Sequence, residues 1–366
     1  MTRRLPFSWT TVVPLVALLV LAGTWTQKDP TLPVVLVVGV FLAGAVLAAV
    51  HHAEVVAHRV GEPFGSLVLA IAVTVIEVAL IVTLMISGGD ETATLARDTV
   101  FAAVMITLNG IIGISLVVTT LRERTAVFNA EGTASALATV ATLATLSLVL
   151  PTYTTSAPGA EFSGAQLAFA AVASLGLYGL FVLMQTVRHR DYFLPRTQDG
   201  AIIDESGDEH AAPPTDRQAY ASLGLLLAGL VAVVGLAKIE SPAIEEGVAN
   251  AGLPQSAVGV VIALLVLLPE TIAAVRAARR GRVQTSLNLG FGSAMASIGL
   301  TIPAIAIASI WLDGPLVLGL GMTQTVLLVL TGLVAALTVL PGRATLQEGV
   351  VHVAIFLAFV FLAANP

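Results

Sequence analysis

The 366-residue chain is 57% hydrophobic and only 11% charged, with a mean hydropathy of +0.94. An ordinary soluble domain carries roughly a quarter of its residues charged, so a soluble globular protein is excluded. Seventeen basic residues against 23 acidic ones leave a net charge of -6 without a basic patch, which excludes a nucleic-acid binder, and the absence of cysteine leaves only oxygen or imidazole to hold a metal.

A bilayer core of about 30 Å needs roughly 20 apolar residues in helical form. Eleven stretches qualify, near 11–27, 32–52, 64–87, 99–121, 133–151, 165–187, 219–237, 255–275, 285–311, 315–340 and 346–365. The chain therefore reads as an all-α polytopic membrane protein. The first stretch follows Arg3 and Arg4 like a signal peptide, but no small-residue cleavage site precedes Gln27 to Pro30, so it reads as a retained leading helix. With the N-terminus cytoplasmic, fourteen of the 17 lysines and arginines fall inside and only Lys28, Arg97 and Lys238 outside. That asymmetry orients the chain N-terminus in and, with eleven spans, C-terminus out.

Two segments repeat one pattern. Glu54 is followed by Gly61 and Pro63, and Glu245 by Gly252 and Pro254, with the same spacing from glutamate to glycine to proline. Each proline opens an apolar stretch with one acid, Glu77 in the first and Glu270 in the second, and the next stretch brings Asn109 with Gly113 or Asn288 with Gly292. Five spans separate the matching helices, so they cross the membrane in opposite directions, an inverted repeat of the kind secondary transporters use around a midplane site. The division is residues 1–30 as leading helix, 31–190 as first five-helix repeat, 191–217 as acidic cytoplasmic linker and 218–366 as second, inverted repeat. The linker, with seven acids against Arg196 and Arg217, reads as a solvated tether, with a Ca2+ sensor as the alternative.

Glu77 and Glu270 read as the only acids deep in any span, with no lysine or arginine at comparable depth. Buried ionisable groups in membranes cost a few kcal/mol and usually mark an ion or proton path. At 1.5 Å per residue they lie roughly 21 and 24 Å from opposite ends of their helices, which brings an inverted pair near the same level. Without a cationic partner the two carboxylates need protons or a cation. Two protons and one Ca2+ carry equal charge, so competition for one site suffices for antiport. Ca2+ takes six to eight oxygens and two bidentate glutamates give at most four, so neutral groups must add the rest. Asn109, Asn288, Thr74 and Ser293 are the candidates, with the carbonyl freed by Pro269 beside them; helix packing is the plainer role for each. His51, His52, Glu54 and His58 resemble a metal cluster at helical spacing but read as a solvated vestibule at the membrane boundary, and His352 carries no specific signal.

Glu62-Pro-Phe-Gly-Ser66 running on to Ala72-Val-Thr-Val-Ile-Glu77, and Leu264 to Glu270-Thr followed by Asn288-Leu-Gly-Phe-Gly-Ser293, resemble the bacterial ChaA-type cation/proton antiporters of the cation/Ca2+ exchanger superfamily. The resemblance implies Ca2+/H+ exchange, with Na+ or K+ as further cargo, and alternate binding of cation and proton by Glu77 and Glu270. In the wider Gly-Asn-Ala-x-Glu pattern an asparagine stands three residues before each glutamate, whereas here Thr74 and Leu267 occupy those places. The expected partners are inorganic cations, protons and lipid, with no resident cofactor and with self-association left open. A cation channel or a multi-span scaffold is the competing reading. A channel would assemble its acids from several subunits, whereas this chain carries its own pair. An intramembrane enzyme is disfavoured because neither a His-Glu-x-x-His motif nor a nucleophile setting is present.

Overall fold

A computed structural model describes residues 8–27, 30–61, 64–88, 92–197, 199, 201–202, 214–311 and 314–366. The linker's residues 198, 200 and 203–213 therefore lie outside the described residues, and with them the tether and sensor readings. The part that precedes them turns back at an isolated bridge between Arg196 and Ile202.

The described chain is helical almost throughout, as expected. In order come α1 (Trp9–Thr24), α2 (Leu32–Val60), α3 (Phe64–Gly88), α4 (Leu95–Met105), α5 (Ile112–Glu123), α6 (Ala130–Ala144), α7 (Leu150–Tyr153) and α8 (Gly164–Leu183). They are followed by α9 (Asp216–Asn250), α10 (Ser256–Arg279), α11 (Val283–Gly299), α12 (Thr301–Ala308), α13 (Met322–Val339) and α14 (Leu346–Ala364). Among the described residues ten helices, counting continuous runs such as Leu95–Glu123, are long and apolar enough to span a membrane; Trp9–Thr24 is the shorter eleventh. Apolar helices of this length follow from the sequence because a backbone in hydrocarbon must satisfy its own hydrogen bonds. Large apolar side chains such as Val40, Phe169, Val172 and Val329 point outward, which suits a lipid-facing surface.

The repeated glutamate-glycine-proline pattern has a structural counterpart. Gly61 ends α2 with φ +75°, and Gly252 follows α9 with φ +68°. Left-handed backbone is nearly cost-free only for glycine, so each glycine stops a long helix before the next begins. The glutamates of the pattern, Glu54 and Glu245, precede α3 and α10 from within the C-terminal parts of α2 and α9.

By contacts the chain forms two compact units, residues 1–92 with 210–258, and residues 93–209 with 259–366. In the first, α2 packs along α9, and α1 and α3 lie against that pair. Glycines allow the close approach: a Cβ on Gly44 would come 2.9 Å from Val13 and one on Gly235 2.4 Å from Leu21. Arg59, at the end of α2, pairs with Asp216 at the start of α9. His52 is buried, not in a solvated vestibule. Its Nε2 donates to the Thr10 carbonyl at 2.9 Å and its Nδ1 meets the Ser222 hydroxyl at 3.2 Å, tying α1, α2 and α9 together. With both ring nitrogens occupied by protein it has no lone pair to offer a metal, and among the described residues no group of three or more metal-ligating side chains forms.

In the second unit α5 packs on α14, α11 on α6, and α12 on α8. Two short antiparallel strands, β1 (Ala126–Val127) and β2 (Arg343–Ala344), join the loops after α5 and α13. Gly113 is needed for this packing, since a Cβ there would sit 2.9 Å from His352 and 3.0 Å from the Val353 backbone; its repeat partner Gly292 faces open space. Asp98, at the start of α4, is 3% exposed and held by Arg97 at 2.8 Å, Thr94 and Gln324.

Candidate functional site

The candidate residues stand on helices from both units, and each is described within its own. Glu77 lies at mid-helix in α3, roughly 20 Å from Phe64 and roughly 17 Å from Gly88 at 1.5 Å per residue. It is 3% exposed, one turn after the buried Thr74, and the apolar side chains Ile76, Leu80 and Ile81 beside it are buried as well. Glu270 lies in α10 directly after Pro269 and is half-buried. The proline cannot donate to the carbonyl of Leu265 four residues earlier, so that carbonyl, a little more than one turn before Glu270, is left without its usual helical donor. Thr271 donates to the Leu267 carbonyl at 2.7 Å. Oε1 of Glu77 and Oε2 of Glu270 are out of contact with solvent.

Both asparagines are already engaged. Between α4 and α5 the helix widens into a π turn over Ile106–Ile111, and Asn109 is within it, fully buried. Its Nδ2 donates to the Thr331 hydroxyl at 2.9 Å, and its Oδ1 accepts from His352 Nδ1 at 3.1 Å. His352 Nε2 in turn meets the Thr338 hydroxyl at 3.2 Å. Asn288 donates to the Phe193 carbonyl at 2.6 Å and accepts from Gln284 at 2.9 Å. Each amide oxygen accepts one hydrogen bond here and keeps a second lone pair that a cation could take. Ser293 follows Gly292 in α11 and is half-buried.

His352 thus has the specific place that the sequence did not disclose. It clamps the π turn to α13 and α14 through Asn109 and Thr338. Replacing His352 by alanine is expected to cost about 1–3 kcal/mol of stability per buried group left without its partner, read as an earlier melting transition of the purified protein; an unchanged transition would show that the clamp carries no load. π turns within helices recur at functional sites, but nothing in local sequence marks one, because the extra residue is accommodated by tertiary partners more than 200 positions away.

One sequence expectation needs correction. Glu77 and Glu270 are not alone, because Glu240 is 8% exposed inside α9. Lys238 and Pro242 gave the apolar stretch an apparent end at residue 237, yet α9 runs through Pro242 to Asn250.

The family described as sodium/calcium exchanger protein matches residues 31–187 and 221–365. The chain belongs to the sodium/calcium exchanger family. It is 45% identical over 98% of its length to a putative ionic transporter, y4hA, of Sinorhizobium fredii, of which 96% is covered. It is also 32% identical over 95% of its length to the sodium-potassium/proton antiporter ChaA of Escherichia coli, of which 94% is covered. A crystal structure of the H+/Ca2+ exchanger CAX superposes with a TM-score of 0.71 over 96% of this chain and 86% of that one, at 17% identity, which shows the shared fold. The resemblance read from the glutamate motifs is therefore correct at the level of the superfamily. The protein is a multi-pass membrane protein of a cation-exchanging family, and that family consists of transporters.

Proposed function

We propose that the protein is a proton-coupled cation antiporter that exports Ca2+, with Na+ or K+ as further cargo, in exchange for H+ by alternating access. Glu77 carries the reading. A carboxylate buried at mid-helix, with its repeat counterpart Glu270 set behind Pro269, is the kind of group that marks an ion or proton path in a membrane. Protons and cation take the two carboxylates in turn, and two H+ against one Ca2+ leaves the loaded charge the same. Thr74, a turn before Glu77, and Ser293 supply neutral oxygens, while Asn109 and Asn288 join through the second lone pair of their amide oxygens. The two halves form the inverted repeats 31–190 and 218–366, preceded by the leading helix and joined by the acidic linker, with the N-terminus cytoplasmic and the C-terminus outside.

The test is cation-driven proton flux in proteoliposomes, scanned over Ca2+, Na+ and K+. Outward or inward cation gradients are expected to drive protons the opposite way, with the response to Ca2+ exceeding that to the monovalent ions. Cation flux without proton counter-flow would overturn the reading.

A further inference from the structure

Glu240 lies ten residues before the end of α9 and is more than nine-tenths buried. One oxygen, Oε1, rests against Gly39 of α2, where a Cβ would come within 3.2 Å. The other, Oε2, is out of contact with solvent and accepts no hydrogen bond among the described residues. Gly39 thus leaves room for the carboxyl, because a side chain there would crowd Oε1.

Among the described residues no surrounding charge compensates it. On α9 the nearest cation, Lys238, holds its ammonium 5.5 Å from the centre of the Trp25 ring, and Glu245, a turn further on, takes the Ser241 hydroxyl at 3.0 Å. Asp216, Arg217 and Tyr220 are at the far end of α9. Helix α1 carries no titratable side chain, and α3 carries only Glu77. Those of α2 are His51, His52, Glu54, His58 and Arg59, twelve or more residues beyond Gly39 and so roughly 18 Å or more along the helix. An ionised carboxylate without a countercharge or donors is strongly disfavoured in such a place, whereas the neutral acid is tolerated.

We propose that Glu240 is a third proton-binding carboxylate, and that α2 seats on α9 at Gly39 only while Glu240 holds its proton. Loss of that proton to water leaves a carboxylate that must leave the Gly39 contact for solvent or headgroups, so the two helices part there. α2 and α9 are long helices of 29 and 35 residues, so one proton at their contact acts on a long lever. The proton is bound whatever cation the protein carries, so Glu240 and the exchange reading stand or fall separately.

The absence of cysteine permits a direct test on the full chain in lipid nanodiscs. Spin labels on Val40→Cys and Val234→Cys, outward-facing positions of α2 and α9, report the helix separation by pulsed dipolar spectroscopy from about pH 5 to about pH 9, a span that brackets the titration of buried carboxyls. The distance distribution is expected to lengthen or broaden at the alkaline end. Glu240→Gln, which keeps the shape of the acid but cannot ionise, is expected to hold the acid-side distribution throughout, while Glu77→Gln and Lys28→Ala leave the transition in place. A distribution that does not move with pH, or a transition that survives in Glu240→Gln or vanishes in Glu77→Gln or Lys28→Ala, overturns the proposal. Should Glu240→Gln fail to insert, Glu240→Asp decides, because the shorter acid still titrates but withdraws from Gly39. A displaced midpoint supports the proposal and an unchanged one overturns it.

Discussion

Replacing Glu77 or Glu270 by glutamine is expected to reduce cation-driven proton flux at least about a hundredfold, because affinity in oxygen-ligated cation sites is set largely by the count of charged ligands. Glutamine keeps the volume of the side chain and its capacity for hydrogen bonds, but it neither takes up a proton nor carries negative charge. Glu77 is buried and glutamine matches it in size, so the protein is expected to insert and melt as the parent does. The two losses are expected not to add: either change alone stops the cycle, since one remaining carboxylate cannot balance a divalent ion. Purified, folded variants that still exchange at the parental rate would remove the glutamate pair from the mechanism. Glu240→Gln serves as the contrast, because that residue was placed at a helix contact and not among the cation ligands.

The helices were legible because hydropathy in a membrane protein is a constraint on the backbone itself: every span must satisfy its own hydrogen bonds. Glu77 and Glu270 stood out for the same reason, as charges in segments that otherwise exclude them. The limits of α9 were not legible, since Lys238 and Pro242 are end signals in isolation and only packing against α2 carries the helix past them. Gly39 gave no sign either, because its meaning depends on a carboxyl 201 positions later in the chain. Asn109 and Asn288 show the complementary difficulty. Their spacing to a glycine suggested equivalent roles, yet Gly113 is pressed against α14 while Gly292 meets nothing, and the two amides bond to unrelated partners. Polar residues in helices acquire their roles from neighbours distant in sequence, so a motif preserves register without fixing chemistry. His52 makes the point on the first unit: a histidine-rich segment at a span boundary suggested solvent, and the ring is instead a buried pin between Thr10 and Ser222.

The strongest pH effect is expected in cation affinity. If protons and cation compete for Glu77 and Glu270, acidification converts ligand into neutral acid and removes both the charge and the ligand oxygens that hold the cation. Affinity should therefore fall as pH falls, by about tenfold per pH unit for each proton that must leave before the cation binds, which is the mass-action limit below the titration of the pair. Two displaced protons give about a hundredfold per unit for Ca2+, and a monovalent ion that displaces one gives about tenfold, so the slope itself separates the cargoes. Above the titration of the pair both dependences should level off, since the carboxylates are then already free of protons. Proteoliposomes loaded symmetrically and titrated with each cation from about pH 6 to about pH 9 provide the measurement. A flat affinity across that span, with no proton counter-flow, is the result that a channel with purely structural acids would give and that an exchanger cannot. A slope of one proton for Ca2+ would mean that one carboxylate suffices for the divalent ion and would overturn the pairing of Glu77 with Glu270.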